Sequence, residues 1–201
     1  MHPRVLIALF LLAASVFVGV LAAAATGGRE AAPTGGERRF EGAILPRGLD
    51  APRFRLRDED GQPVAMQDLR GRPVIVTFLY THCEDSCPTQ AQQVRSALDE
   101  LGEEVPALAI AVEPERDTEE SARAFLSEQR VLGRMRFVLG SRDELRKVWK
   151  AFGVEPQRDD LEHSGRFVLV DPKGVQRVSF PIDQATPERL AHDLRLLADG
   201  A

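Results

Sequence analysis

Apolar positions fall into two regimes along the chain. Residues 5–25, VLIALFLLAASVFVGVLAAAA, carry no charge for 21 residues, and a helix of that length would rise roughly 31 Å, close to the hydrocarbon thickness of a bilayer. Beyond them the apolar residues come in short runs divided by polar turns. Residues 54–66 read as a short strand or hairpin turning at Asp60-Gly61. VIVTFLY, residues 74–80, is an almost unbroken β-branched and aromatic run, the pattern of a central strand buried on both faces. Ala91, Val94, Leu98 and Leu101 then recur at helical spacing behind Pro88, a residue favoured in a first helical turn.

The alternation continues with a strand at 107–112, a helix at 118–132, a strand at 136–139 and a helix at 141–152 that Gly153 ends. A last hairpin, 167–170 and 175–180 around Asp171-Pro-Lys-Gly174, precedes a helix at 187–198. This βαβ order with an appended antiparallel hairpin predicts an α/β sandwich around a mixed sheet.

The chain's 201 residues suit one domain of ordinary size. Arg4, before the apolar run, predicts a cytoplasmic N-terminus and an extracytoplasmic remainder. The length of the run favours an uncleaved anchor over residues 1–25, although its Ala-rich end also offers A-x-A cleavage sites. Residues 26–48, TGGREAAPTGGERRFEGAILPRG, are rich in Gly, Ala and Pro and read as a flexible tether, which leaves the folded domain at 49–201. Without residues 1–26 the chain keeps 25 basic and 31 acidic side chains, a formal charge of −6 where the whole chain has −5. That balance argues against binding a nucleic-acid backbone.

Both cysteines lie in THCEDSCP, in the loop between the buried strand and its helix. A structural disulfide is the plain reading for an exported protein. Its five-residue loop would contribute only about 2 kcal/mol, and a domain of this size has little need of such a staple. The alternative is chemistry. A helix N-terminus favours a thiolate, both the nucleophile and the metal-binding form, and Cys87, directly before Pro88, is placed to feel that field, opposed by Glu84 and Asp85. Two thiolates form a soft donor set that suits copper(I) better than calcium, magnesium or manganese. Zinc would take four ligands, and the adjacent His82 and Cys83 would point apart in an extended loop. Asp117 and Arg116 stand where a cap or anchor of the following helix is expected. Trp149, with Leu145 and Phe152, reads as core.

FLYTHCEDSCP (78–88), VEPERDT (112–118), FVLG (137–140), AFGV (151–154), EHS (162–164) and FVLVDPKG (167–174) together resemble the SCO/SenC family, in order and over roughly residues 44–198. The resemblance implies a thioredoxin-like three-layer sandwich and a copper site, Cu(I) or Cu(II), held by Cys83, Cys87 and His163. Asp85 and Glu162 are implied as supporting residues behind those ligands. On composition alone His163 is a solvated loop histidine. Departures from the family pattern include Glu84 in place of the usual proline, Glu162 before the histidine and Glu113 in the V-D-P stretch.

The implied function is a membrane-tethered, periplasmic metallochaperone, expected as a monomer, that serves the copper A subunit of cytochrome c oxidase. The alternative is a thiol-disulfide oxidoreductase in which Cys83 and Cys87 reduce the partner's copper-ligand cysteines. Three residues between the cysteines, and no proline in 158–166 ahead of the penultimate strand, disfavour a generic thioredoxin. The absence of the proline-then-threonine pattern before either cysteine disfavours a thiol peroxidase.

Overall fold

The computed structural model describes residues 39–154 and 165–200. The apolar run at 5–25 lies outside them, and among the described residues no helix is long and apolar enough to cross a membrane. The strands are β1 (Ala43–Ile44), β2 (Arg55–Arg57), β3 (Pro63–Ala65), β4 (Val74–Leu79), β5 (Ala107–Ala111), β6 (Met135–Val138), β7 (Arg166–Val170) and β8 (Gln176–Pro181), and the helices are α1 (Ser86–Leu101), α2 (Glu119–Glu128), α3 (Arg142–Ala151) and α4 (Pro187–Ala198). Six strands form a mixed sheet in the order β1-β8-β7-β4-β5-β6, while β2 and β3 form a separate hairpin.

Strand β4 runs parallel to β5 and antiparallel to β7, and all six of its residues are buried, as the unbroken VIVTFL run requires. The register separates the two faces. Thr77, Ala109 and Phe137 stand side by side across β4, β5 and β6. Thr77 donates to Gln90 of α1 at 2.7 Å, and Phe137 meets Phe125 of α2 edge-on at 6.0 Å. Helices α1 and α2 therefore cover one face, with α4 packed along α1. The next row, Phe78, Ile110 and Val138, faces the other way. There Phe78 meets Phe152 edge-on at 5.6 Å, directly after α3, and Trp149 of α3 donates to the Ala111 carbonyl at 2.9 Å. The fold is a mixed α/β sandwich in three layers.

Both hairpin turns use one device. Asp58 Oδ1 accepts the amides of Asp60 and Gln62, and Asp171 Oδ1 accepts those of Lys173 and Val175, with Gly61 and Gly174 at φ 68° and 86°. The pairing of Arg57 with Leu139 lays the β2–β3 hairpin against the end of edge strand β6, and the buried Glu59 accepts the Phe137 amide at 2.8 Å. An exposed row of unpaired amides is thereby covered.

Two boundaries differ from the expected ones by several residues. Helix α2 stops at Glu128 rather than 132: Arg130 turns left-handed (φ 57°), and Val131 leaves the helix as a fully buried residue. At the N-terminal side, residues assigned by composition to the tether are paired, since Ala43 and Ile44 align with Ser179 and Val178 of β8. The reason lies far along the sequence. Asp193, wholly buried on α4, accepts the amides of Glu41 at 2.9 Å and Gly42 at 3.0 Å. Asp193→Ala is expected to lower stability by about 2 kcal/mol, the scale for bonds to a charged acceptor. Amide exchange at Glu41, Gly42 and Ala43 should rise in step, and unchanged exchange there would show that the segment is held by other contacts.

Candidate metal centre

β4 ends at Leu79, and the chain turns at once, with the Cys83 amide donating to the Tyr80 carbonyl at 3.4 Å. Helix α1 then starts at Ser86, earlier than Pro88, with Asp85 in the capping position. The carboxylate of Asp85 makes no capping bond. The sulfur of Cys83 takes that place, accepting the Cys87 amide at 3.2 Å. One of the free N–H groups that open every helix is thus spent on a thiol, a polarising contact that favours the thiolate.

The two sulfurs differ in character, and not as the chain order suggests. Burial disfavours charge on Cys83. The Cys87 thiol and amide, the Tyr80 hydroxyl and the Asp85 amide outweigh that burial through their hydrogen bonds, so Cys83 titrates below an ordinary thiol. Burial, reinforced by its bond to Cys83, drives the Cys87 thiol well above that range. Position before Pro88 assigns the helix field to Cys87. In the fold Cys87 is fully buried while the Cys83 sulfur lies over the open end of the helix, so Cys83 receives the field. Tyr80, raised by burial and by its bond to Cys83, keeps its proton and acts as donor.

A second loop holds this one in place. Asp117, 6% exposed, does not cap α2; Thr118 does, in a reciprocal bond with Ser121. Asp117 Oδ1 instead accepts the Thr81 amide at 2.8 Å and the Thr81 hydroxyl at 3.0 Å, while Oδ2 accepts the Glu113 amide at 3.0 Å. One carboxyl thus joins the loop after β4 to the loop after β5. Burial raises its titration point, and the bonds from Thr81 and Glu113 oppose that rise. Tyr80, Thr81 and Asp117 are the site residues that sequence reasoning did not assign. VEPERDT puts the aspartate directly before a helix expected from 118; with the helix starting at Glu119, Asp117 sits one residue too early to cap it.

Cys83 and Cys87 are free and brought together. Asp85 lies beside them, its amide rather than its carboxylate directed at Cys83. His163 and Glu162 lie outside the described residues, among which no group of three or more His, Cys, Asp or Glu could hold a metal. Two adjacent thiol sulfurs, one readily ionised, nonetheless fit a soft monovalent ion.

The SCO1/SenC family matches residues 46–199. The chain is 31% identical over 147 residues to a Stutzerimonas stutzeri protein named for copper binding, covering 67% of this chain and 70% of that one. It spans about half the length of the mitochondrial SCO2 protein of Saccharomyces cerevisiae and of the sco1 protein of Schizosaccharomyces pombe. Among solved structures, Bradyrhizobium japonicum ScoI with copper bound superposes at TM-score 0.63 with 30% identity, over 73% of this chain and 98% of that one. BsSco, described with a disulfide switch as a member of the Sco family of cytochrome c oxidase assembly proteins, shares the fold at TM-score 0.68 and 21% identity, over 82% of this chain and all of that one.

The reactive form of a thiol is its thiolate, so iodoacetamide should modify Cys83 first. Its rate should level off at a lower pH than for an ordinary cysteine, while Cys87 stays protected until the chain unfolds. Cys87→Ala removes a donor to Cys83 and should move that levelling-off to higher pH. Preferential labelling of Cys87 would contradict the assignment. Asp117→Asn should lower stability by about 1–3 kcal/mol and speed amide exchange at Thr81 and Glu113. A melting curve and exchange rates like those of the wild type would remove Asp117 from this role.

Proposed function

The chain belongs to the SCO1/SenC family, and from that membership we propose that it is a copper-binding metallochaperone which serves cytochrome c oxidase assembly from the extracytoplasmic side of a membrane. Copper is its cargo, Cys83 and Cys87 supply thiolates, and His163 supplies an imidazole. Nitrogen beside two thiolates lets one site hold Cu(I) or Cu(II). Residues 5–25 tether the domain, and the copper A subunit of the oxidase is the recipient. The observation that carries this reading is the pair of adjacent free cysteines, one polarised by the open end of α1.

The path of the chain supports His163. Gly165 lies against α1, where an added Cβ would come within 2.9 Å of Gln90 Nε2 and 1.9 Å of Ile182 Cδ1. The Gly165 carbonyl accepts the Ile182 amide at 3.2 Å, and the neighbouring Arg166 carbonyl accepts the Thr77 hydroxyl at 3.2 Å. Gln90 is one helical turn from Cys87, about 4.5 Å along the axis. Gly165 is two residues after His163, and two residues span up to about 7 Å, a separation compatible with a ligand role for His163.

A second reading rests on the asymmetry of the thiols. An ionised Cys83 can attack a partner disulfide, forming a mixed disulfide and releasing one partner thiolate. Cys87, on losing its proton, then attacks the Cys83 sulfur and frees the second partner thiol. The partner gains two electrons and the domain is left as a Cys83–Cys87 disulfide.

Cu(I) competition titration of the reduced full chain in detergent distinguishes the readings. The wild type should bind one equivalent, Cys83→Ser and Cys87→Ser should lose tight binding, and His163→Ala should weaken it. Unchanged affinity in His163→Ala would remove its ligand role. No binding by the wild type, together with rapid reduction of a disulfide substrate, would replace the first reading with the second.

A further inference from the structure

The copper reading leaves His82 unused. Its side chain is exposed, next to a cysteine that is 7% exposed and five residues from one that is 0% exposed. A recipient's donor atoms meet His82 at the surface before they meet either sulfur. The ring is also held. His82 Nδ1 lies 2.9 Å from the Thr81 hydroxyl oxygen, which lies 3.0 Å from Asp117 Oδ1 and 3.1 Å from Ser121 Oγ.

One arrangement of protons satisfies every member of this chain. Asp117 accepts a backbone amide on each oxygen, so it serves as acceptor, and the single Thr81 proton is directed to it. Ser121 has carbonyl acceptors of its own at Thr118 and Arg116, 3.2 Å and 3.4 Å away. In that arrangement the remaining contact of the Thr81 oxygen is met by His82 Nδ1–H as donor. Nε2 is then left with its lone pair exposed. A hydrogen-bond acceptor that fixes the tautomer of an imidazole commonly stands behind metal-binding histidines, and here the Thr81 hydroxyl, anchored on Asp117, takes that position.

We propose that His82 is a transit ligand for copper, its Nε2 taking Cu(I) at the surface during loading and hand-over while remaining outside the resting ligand set. The proposal rests on the copper role of Cys83 and Cys87. Each exchange leaves the metal as Cu(I): one Nε2–copper bond forms as one donor–copper bond breaks, and no electron moves. The opposed placement of the two side chains, Cys83 inward and His82 outward, keeps Nε2 out of the resting site. Thr81 and Asp117 are positioning residues that hold the ring in its Nδ1–H form.

Two readouts on the reduced full chain in detergent test this. In the copper-free protein, 15N spectra of the imidazoles should show His82 in the Nδ1–H form. Thr81→Val should yield a tautomer mixture, and Thr81→Ser, which keeps the hydroxyl, should restore the wild-type spectrum. In the loaded protein, transfer of Cu(I) to the chelator bathocuproinedisulfonate should slow about tenfold in His82→Ala, on the scale seen when groups around a metal are removed. Equilibrium affinity should stay at the wild-type value. A wild type that binds no Cu(I) would overturn the copper reading itself. Tight binding with unchanged transfer in His82→Ala would overturn the transit role alone. A parallel loss of equilibrium affinity would also overturn it, making His82 a resting ligand, and an Nε2–H tautomer in the wild type would contradict the relay.

Discussion

The hydrogen bond from the Cys87 amide to the Cys83 sulfur is the contact on which the site depends. A helix opens with N–H groups that have no partner within it, and side-chain oxygens usually meet them. Here a sulfur does so, because Asp85 leaves the role open. The consequence is two thiols of unlike character side by side. Cys83 is drawn toward its thiolate by surrounding donors, and Cys87 is kept protonated by burial until something displaces its proton. Such a pair can receive a soft cation or pass electrons to a disulfide. A third donor, the imidazole of His163 in the proposed function, directs it to the first use.

That contact is only as fixed as the backbone under it. β4 is buried on both faces and bonded on both edges, so the point at which the chain leaves Leu79 has little freedom. The Val112 amide extends the β5 pairing to the Leu79 carbonyl at 3.0 Å, and Asp117 gathers the amides of Thr81 and Glu113 immediately beyond. On the opposite flank the buried Thr77 and Gln90 side chains and the side-chain-free Gly165 let the start of β7 lie close against α1. The loops after β4 and β5 and the start of β7 thus meet at one end of the sheet, which is where open α/β sheets place their ligands.

What the sequence disclosed follows from how local each determinant is. VIVTFLY declared a central strand because burial on both faces imposes a composition, and the two Asp-containing turns were legible because the aspartate bonds its own neighbours. The edge strand at Ala43 and Ile44 was not legible. Its Gly-rich surroundings look like a tether, and the group that holds it, Asp193, lies about 150 positions away on another element. The cysteine pair was evident from spacing, but which thiol ionises was not. The answer turns on which sulfur lies over the helix end and which lies in the core, a matter of fold rather than order along the chain. For the same reason Asp117 read as a helix cap while it spans two loops. His163 was reached by family resemblance alone and lies outside the described residues, so its role rests on the reach of the chain from Gly165.

The central claim is that one copper ion is held by the sulfurs of Cys83 and Cys87 together with one imidazole nitrogen. X-ray absorption at the copper edge, on the reduced full chain loaded with one equivalent of Cu(I), reads those donors directly. The account predicts two sulfur scatterers and one nitrogen, with the nitrogen contribution lost in His163→Ala. A first shell of nitrogen and oxygen only, or one unchanged when Cys83 is replaced by serine, would contradict it.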